Sequence, residues 1–284
     1  MSRDNRWLLS HAENKHSQNG EDGVIGKILE VLGEPIGWCV EFGAWDGRHL
    51  SNTYALIDEQ DFSAVLIEGS TERYLDLKQS FSQNDRITPV NAFVGFSADD
   101  GLDQILEKTD LPREFDLLSI DIDGNDFHVW KAVENFDPRI VVIEFNPTIP
   151  TAVEFVQEAD MSINQGCGIA PLVKLAAGKG YELVCITQCN CIFVKAEYFE
   201  RFGIEDNSPG ALRADETLVT WVFCGYDGKV FVRGHGILPW HGIPYREKKM
   251  QQVSYLFRSF QSNYGTTMRW ISRQYRSIKK RGWI

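Results

Sequence analysis

Several common signatures are missing from this chain, and each absence narrows what it can do. No G-x-G-x-x-G follows any apolar run, which weakens the case for a pyrophosphate-binding turn and for a nicotinamide cofactor. The six cysteines (39, 167, 185, 189, 191 and 224) include no C-x-x-C pair, and Cys189-Asn-Cys191 lacks zinc spacing. Cys39 and Cys185 sit in apolar runs and read as small core residues, which suits a reduced cytoplasmic setting. No stretch approaches 18 consecutive apolar residues, and the first residues lack the apolar core of a secretion signal, so a soluble intracellular protein is expected. There is no internal repeat and no low-complexity linker.

What remains is ordinary globular composition with an uneven charge. The 284 residues are 43% apolar and 24% charged, enough for one large α/β domain or one domain with an appendage. The net charge of −11 conceals a basic end: His241 to Ile284 holds ten Lys or Arg against one acid, Glu247, a charge of +9 beside −20 for the rest. A body that acidic argues against nucleic acid as a partner.

Apolar, β-branched runs recur at 38–42, 64–68, 90–94, 117–122, 140–145, 181–186 and 191–194, with helical patterns at 21–32, 51–59, 71–82, 102–108, 125–135 and 169–179. This alternation predicts a parallel sheet with crossover helices. Only a Thr-Gln-Cys-Asn turn separates the last two runs, so they should form an antiparallel hairpin at one edge.

The richest segment is W-C-V-E-F-G-A-W-D-G at 38–47, an apolar strand that ends in Glu41 and a turn bracketed by Gly43 and Gly47. Such a turn lets a ligand approach the backbone, at the strand end where open α/β sheets bind nucleotides. About 25 residues on, the next strand ends in Glu68, placed to accept both hydroxyls of a ribose. A strand followed by a glycine turn is common in any α/β protein, but the second acid points to a nucleoside-containing ligand. The glycine spacing leaves a cofactor such as S-adenosylmethionine.

Taken together, these motifs resemble the FkbM-type class I S-adenosylmethionine-dependent methyltransferases. The resemblance covers roughly residues 17 to 200 and is carried by S-Q-N-G-E-D at 17–22, V-E-F-G-A-W-D-G with Ser51-Asn-Thr53, Leu66-Ile-Glu68, L-S-I-D-I-D-G-N-D at 118–126, K-G-Y-E-L-V at 179–184 and N-C-I-F-V at 190–194. It implies a Rossmann-like sheet of five parallel strands plus a terminal antiparallel hairpin. With the basic end of the chain, this gives a domain over residues 1–234 with an N-terminal helical cap, followed by a basic helical extension at 235–284. It further implies that Gly43 and its neighbours Ala44, Asp46 and Asn52 hold the methionine part, Glu68 with Gly69 the ribose, and Asn91-Ala92-Phe93 the adenine edge, with Asp121 alongside. Glu41 stands where many class I enzymes carry Asp. The acceptor so implied is a sugar hydroxyl in glycan or natural-product biosynthesis.

Asp121 and Asp123 follow the fourth strand, and Glu144 with Asn146 closes the fifth, an oxygen-rich set suited to a hard cation such as Mg²⁺. A bound Mg²⁺ would hold substrate oxygens and favour an alkoxide. An EF-hand is excluded, because Gly124 falls at the fourth position and Ala132 at the twelfth. The plainer alternative is that Asp123 and Asp126 only begin the next helix. For the general base, His235 and His241 lead because both lie in glycine-flanked loops, alongside Asp121. His128 reads as a packing residue and His16 as a weaker candidate, while Gln18 and Asp22 would face the pocket if their segment caps it.

Beyond residue 245, Val253, Leu256, Phe257 and Phe260, then Met268, Ile271, Tyr275 and Ile278, follow helical spacing, predicting two basic amphipathic helices around Gly265. Their apolar faces suit packing on the acidic body or on a second copy in a homo-oligomer. The alternative is a peripheral contact with an anionic membrane or an acidic glycan. Two other functional classes stay open at this point, a nicotinamide-dependent oxidoreductase and a non-catalytic nucleoside-binding module.

Overall fold

The computed structural model describes residues 4–280 except 254, 256 and 257, and gives the backbone alone for 261, 275, 276 and 278–280. The chain divides into two compact units, Met1–Glu216 and Thr217–Ile284.

The first unit is built on seven strands: β1 (Trp38–Phe42), β2 (Ser63–Glu68), β3 (Ile87–Asn91), β4 (Glu114–Ile120), β5 (Asp137–Glu144), β6 (Tyr181–Ile186) and β7 (Asn190–Lys195). They lie in the order β3-β2-β1-β4-β5-β7-β6. β1 to β5 are parallel, and β7 enters antiparallel between β5 and β6, so the expected closing hairpin is present with β6 at the edge. Helices α1 (Glu21–Leu32), α2 (Tyr54–Glu59), α3 (Thr71–Ser80), α4 (Leu102–Leu106), α5 (Asp126–Ala132), α6 (Ile169–Gly178) and α7 (Pro209–Leu212) complete the unit. The central strands read as unbroken apolar runs because both sheet faces are covered: Val40, Leu66, Leu117, Leu118 and Val141 are fully buried. The stripe Val24, Ile25, Ile28, Leu29 and Leu32 of α1 is buried as its spacing predicts.

Three strands begin three residues before their apolar runs do, each for a physical reason. β3 spans Ile87–Asn91 rather than 90–94, and contains Pro89 opposite Leu66. Its only neighbour is β2, so the missing proline N–H costs no ladder bond. β4 and β5 each start three residues early because Asp116 and Arg139 interrupt the hydrophobic pattern while lying inside the strands. These two form a buried ion pair at 2.8 Å. Asp116 also accepts the Gly37 N–H at 2.6 Å, and Arg139 donates to the carbonyls of Leu32 and Glu34. The pair therefore ties β4, β5, the end of α1 and the entry to β1 together at the amino ends of the strands.

In the second unit, β8 (Thr220–Cys224) and β9 (Val230–Gly234) form an antiparallel hairpin, β10 (Ile237–Leu238) pairs with β11 (Ile243–Pro244), and α8 (Thr266–Lys280) follows. The sequence boundary at 234/235 thus falls at the end of β9. α8 is the second of the two predicted tail helices. The first does not form among the described residues: Gln251 bonds Val230 on both its N–H and carbonyl, and Val253 lies against Gly228, so this stretch lines the hairpin. Leu256 and Phe257, and the side chains of Tyr275 and Ile278, lie outside the described residues. No helix among the described residues is long and apolar enough to cross a membrane.

Removing one partner of the buried pair leaves an uncompensated charge in the sheet. Arg139→Met should lower unfolding free energy by about 3–5 kcal/mol in urea melts, while leaving ligand binding at the opposite, carboxyl ends of the strands unchanged.

Candidate functional site

Strand order reverses between β1 and β4, and open α/β sheets bind ligands in the crevice above such a reversal. Here the crevice is shaped by Gly43, at φ +76. A Cβ on Gly43 would fall far inside contact distance of the Asp121 carbonyl oxygen. The end of β1 thus touches the end of β4 through bare backbone. A Cβ on Gly47, at φ +74, would press into Phe81 and Leu77. Between them, Ala44 N–H bonds the Ile67 carbonyl at 3.1 Å, and Asp46 caps its own turn by accepting the Arg48 and His49 N–H groups.

Glu68, at the end of β2, is 5% exposed. One carboxylate oxygen accepts the Trp45 N–H at 2.9 Å and the other the Ser70 N–H at 2.7 Å. Both oxygens are fixed in place, and each keeps lone-pair capacity for another donor. Asn91 Nδ2 and Ala92 N–H both bond the Glu68 carbonyl, at 2.8 and 3.2 Å. Phe93, 75% exposed, lies with its ring against Gly69, where a Cβ would sit 2.7 Å from it. The structure therefore gathers Gly43, Ala44, Glu68, Gly69, Asn91, Ala92, Phe93 and Asp121 along the carboxyl ends of β1 to β4.

Glu41 and Asn52 are at the same edge but are used differently. Glu41 accepts Asn52 N–H at 2.8 Å, Ser51 Oγ at 2.5 Å and Thr53 Oγ1 at 2.7 Å. Burial raises its carboxyl above the ordinary range, and these three donors pull it back. Asn52 Nδ2 bonds Ser119 Oγ. Both residues brace the 51–53 loop to β1 and β4, and α2 accordingly begins at Tyr54.

Next to Gly43, Asp121, Asp123 and Glu144 each offer a carboxylate oxygen within 4.8 Å of the others. Asp121 is exposed to solvent beside groups that desolvate its carboxyl. Desolvation there, reinforced by Asp126, Asp123, Glu41 and Glu21, raises its carboxyl well above the usual range. Glu144 is raised in the same direction by desolvation and then by Asp121, Asp126 and Asp123. Asp126 plays a structural part. It sits in the first turn of α5 and clasps the preceding loop, one oxygen on Ile122 N–H and the other on Gly124 N–H, both at 2.9 Å. Asp123, at φ +58, caps nothing. Three converging hard oxygens fit a divalent cation such as Mg²⁺. Asn146 does not join them. Its Oδ1 accepts from Thr148 N–H and Oγ1, and its Nδ2 donates to the Gln165 carbonyl.

Among the histidines, His128 bonds the Gln157 carbonyl through Nε2 at 2.9 Å and packs on Phe96 and Phe127, a packing role. His16 packs edge-on against Tyr54. His235 and His241 belong to the second unit: His235 N–H bonds the Val219 carbonyl beyond β9, and His241 is exposed between β10 and β11. Gln18 is exposed, while Asp22 turns inward. One Asp22 oxygen accepts the N–H groups of Lys15, His16 and Ser17 together with Ser17 Oγ.

The sequence reading did not single out Glu21. It is fully buried and accepts from Thr187 Oγ1, Asn190 Nδ2 and Asn19 N–H, fixing α1 to the β6–β7 turn. Its place inside the S-Q-N-G-E-D segment was the available signal.

Neither a protein-family model nor a curated protein matches the chain. Three solved structures are among those similar to it. The N-terminal domain of EvdMO1, crystallised with SAH and D-fucose, is 12% identical over 67% of this chain and 94% of its own, at TM-score 0.39. The glycopeptide N-methyltransferase MtfA with S-adenosyl-L-homocysteine is 13% identical over 66% and 93%, at 0.38. A putative O-methyltransferase from Klebsiella pneumoniae is 12% identical over 67% and 86%, at 0.42. At these values the fold assignment rests on the chain's own strand order.

Because the carboxyls of Asp121 and Glu144 are raised, the folded chain holds protons that the unfolded chain has already lost. Its stability should therefore fall as pH rises from about 4 through neutrality. Glu144→Gln should flatten that fall, so that its thermal midpoint exceeds the wild type's by a margin that widens between about pH 5 and pH 8.

Proposed function

We propose that the chain is an S-adenosylmethionine-dependent methyltransferase of the FkbM type that methylates a hydroxyl of a sugar, in a glycan or natural-product intermediate. The observation that carries this reading is Glu68, buried at the end of β2, locked by Trp45 and Ser70 N–H groups and standing beside the Gly43 turn. A carboxylate so fixed accepts a vicinal diol, as a ribose presents, without reorganising. The exposed Phe93 ring beside Gly69 offers a stacking face for adenine, and the bare backbone at Gly43 admits the amino-acid end. A turn of Gly43-Ala-Trp-Asp-Gly47, with Trp45 at φ +47, lacks the glycines that a pyrophosphate needs.

S-adenosylmethionine supplies an electrophilic methyl group on a sulfonium. The chain must then orient the acceptor oxygen for in-line attack and take its proton. Asp121 is both at the Gly43 contact and in the acid cluster, so the proton acceptor lies next to the methyl end of the cleft. The Asp121 carboxyl, pushed up to about 8 by desolvation and by Asp126, Asp123 and Glu41, is in its ionised form a stronger base for a hydroxyl proton than an ordinary carboxylate, which supports O-methylation. Converging carboxylates also suit a polyhydroxylated acceptor, since each oxygen accepts a sugar O–H. A cation held by Asp121, Asp123 and Glu144 would add Lewis-acid stabilisation of the alkoxide.

Calorimetric titration tests the reading, using S-adenosylmethionine, its demethylated product and NAD, with and without Mg²⁺. Micromolar binding of the first two and none of NAD is expected. Glu68→Ala should weaken binding about 100-fold, the worth of two hydrogen bonds to a charged acceptor. Absence of binding by the wild-type protein under every condition would overturn the assignment, and turnover absent on every sugar despite binding would leave a nucleoside-binding module. Mg²⁺ should raise the thermal midpoint of the wild type and not that of Asp123→Asn.

A further inference from the structure

The second unit carries twelve Lys or Arg against two acids, Asp227 and Glu247. Glu247 already pairs with Arg233 at 3.2 Å. Within this unit α8 is the extreme case: five basic residues in fifteen and no acid. At the helical period of 3.6, Met268, Ile271, Tyr275 and Ile278 fall on one stripe, and Arg269, Arg273, Arg276 and Lys280 on a stripe nearly opposite. Of the stripe's described side chains Met268 is half-buried and Ile271 37% exposed, and Trp270, on the border between the stripes, is 61% exposed. Among the described residues the Arg269 guanidinium bonds the Tyr264 carbonyl, and Arg273 is exposed.

We infer that α8 docks on an anionic lipid bilayer surface, its Met268-to-Ile278 stripe among the acyl chains and its arginines among the headgroups. Both faces are then used at once. A nucleic acid would take up the arginines but leave the apolar stripe in water. A second copy of the same unit would bring two strongly positive surfaces together. Exposed Trp240 and Tyr255 in the same unit add the amphipathic rings that favour a headgroup boundary. A single helix of this kind gives reversible binding that depends on lipid charge. The inference is independent of the catalytic reading.

Co-sedimentation of the full chain with vesicles tests it, using phosphatidylcholine alone and phosphatidylcholine mixed with phosphatidylglycerol, across a salt series. Binding to the mixed vesicles alone, weakening with salt, is expected. Arg269→Gln with Arg273→Gln should weaken it roughly 25-fold, about fivefold per charge. Ile271→Asp should weaken it at least as much without changing the thermal midpoint. No binding to mixed vesicles at low salt would overturn the proposal. So would undiminished binding by Ile271→Asp, which would reduce the effect to charge alone. Light scattering that shows a dimer dissociated by Ile271→Asp, with no vesicle binding, would overturn it in favour of a second copy.

Discussion

The cleft depends on a contact that only a residue without a Cβ allows. Gly43 brings the end of β1 against the Asp121 carbonyl, and this closeness places the turn over β1, the acid at the end of β2 and the acid cluster at the end of β4 within one crevice. A larger residue would force β1 and β4 apart at their carboxyl ends. The loop from Ala44 to Gly47 would then lose its register with Ile67 and Glu68, since Ala44 N–H and Trp45 N–H bond those residues. The positive φ at Gly43 adds to the requirement, because it sends the chain back over the sheet edge instead of onward into solvent.

Around that contact the acids divide by what satisfies them. Glu21, Asp22, Glu41, Glu68 and Asp126 each accept at least two donors from the protein, mostly backbone N–H groups. Their charge is absorbed locally, and each in return holds a loop still. Among the described residues Asp121, Asp123 and Glu144 converge with no such set of donors, only the Asp123 N–H on Glu144, and instead repel one another. The first group builds the walls of the site, while the second carries an unmet demand for a proton, a cation or hydroxyl donors. This is the distribution expected where strain is concentrated at a functional position.

Much of this was legible in the residues. The α1 stripe, β1, the closing hairpin and Glu68 follow from periodicity and from acids at strand ends, because those signals are local. The starts of β4 and β5 were hidden by Asp116 and Arg139, charges whose partners lie far apart in sequence. β3 was displaced because a proline reads as a breaker until the strand is known to be an edge. The roles of Glu41 and Asn52 were hidden for a related reason: an acid at a strand end looks the same whether a ligand or a neighbouring loop satisfies it. Asn146 looked like a metal ligand by position, yet Thr148, two residues on, occupies its oxygen. Of the general-base candidates His235, His241 and Asp121, burial and repulsion raise the carboxyl of Asp121, an effect that only its neighbours in space produce.

The two ends of the sheet are opposite solutions to charge in a parallel fold. At the amino ends, Asp116 and Arg139 neutralise each other, and their spare hydrogen-bonding positions are filled by main-chain groups of α1 and the β1 entry. At the carboxyl ends, acidic groups are left together within 4.8 Å of one another. Such an arrangement opposes folding at neutral pH, so it persists only because the surrounding backbone is over-determined. The Asp126 clasp on Ile122 and Gly124, the Gly43 contact and the Glu41 brace each fix the chain within a few residues of the cluster. Loosening any of the three would let the carboxylates move apart and relieve their repulsion, and with it the perturbation that suits them to accept a proton.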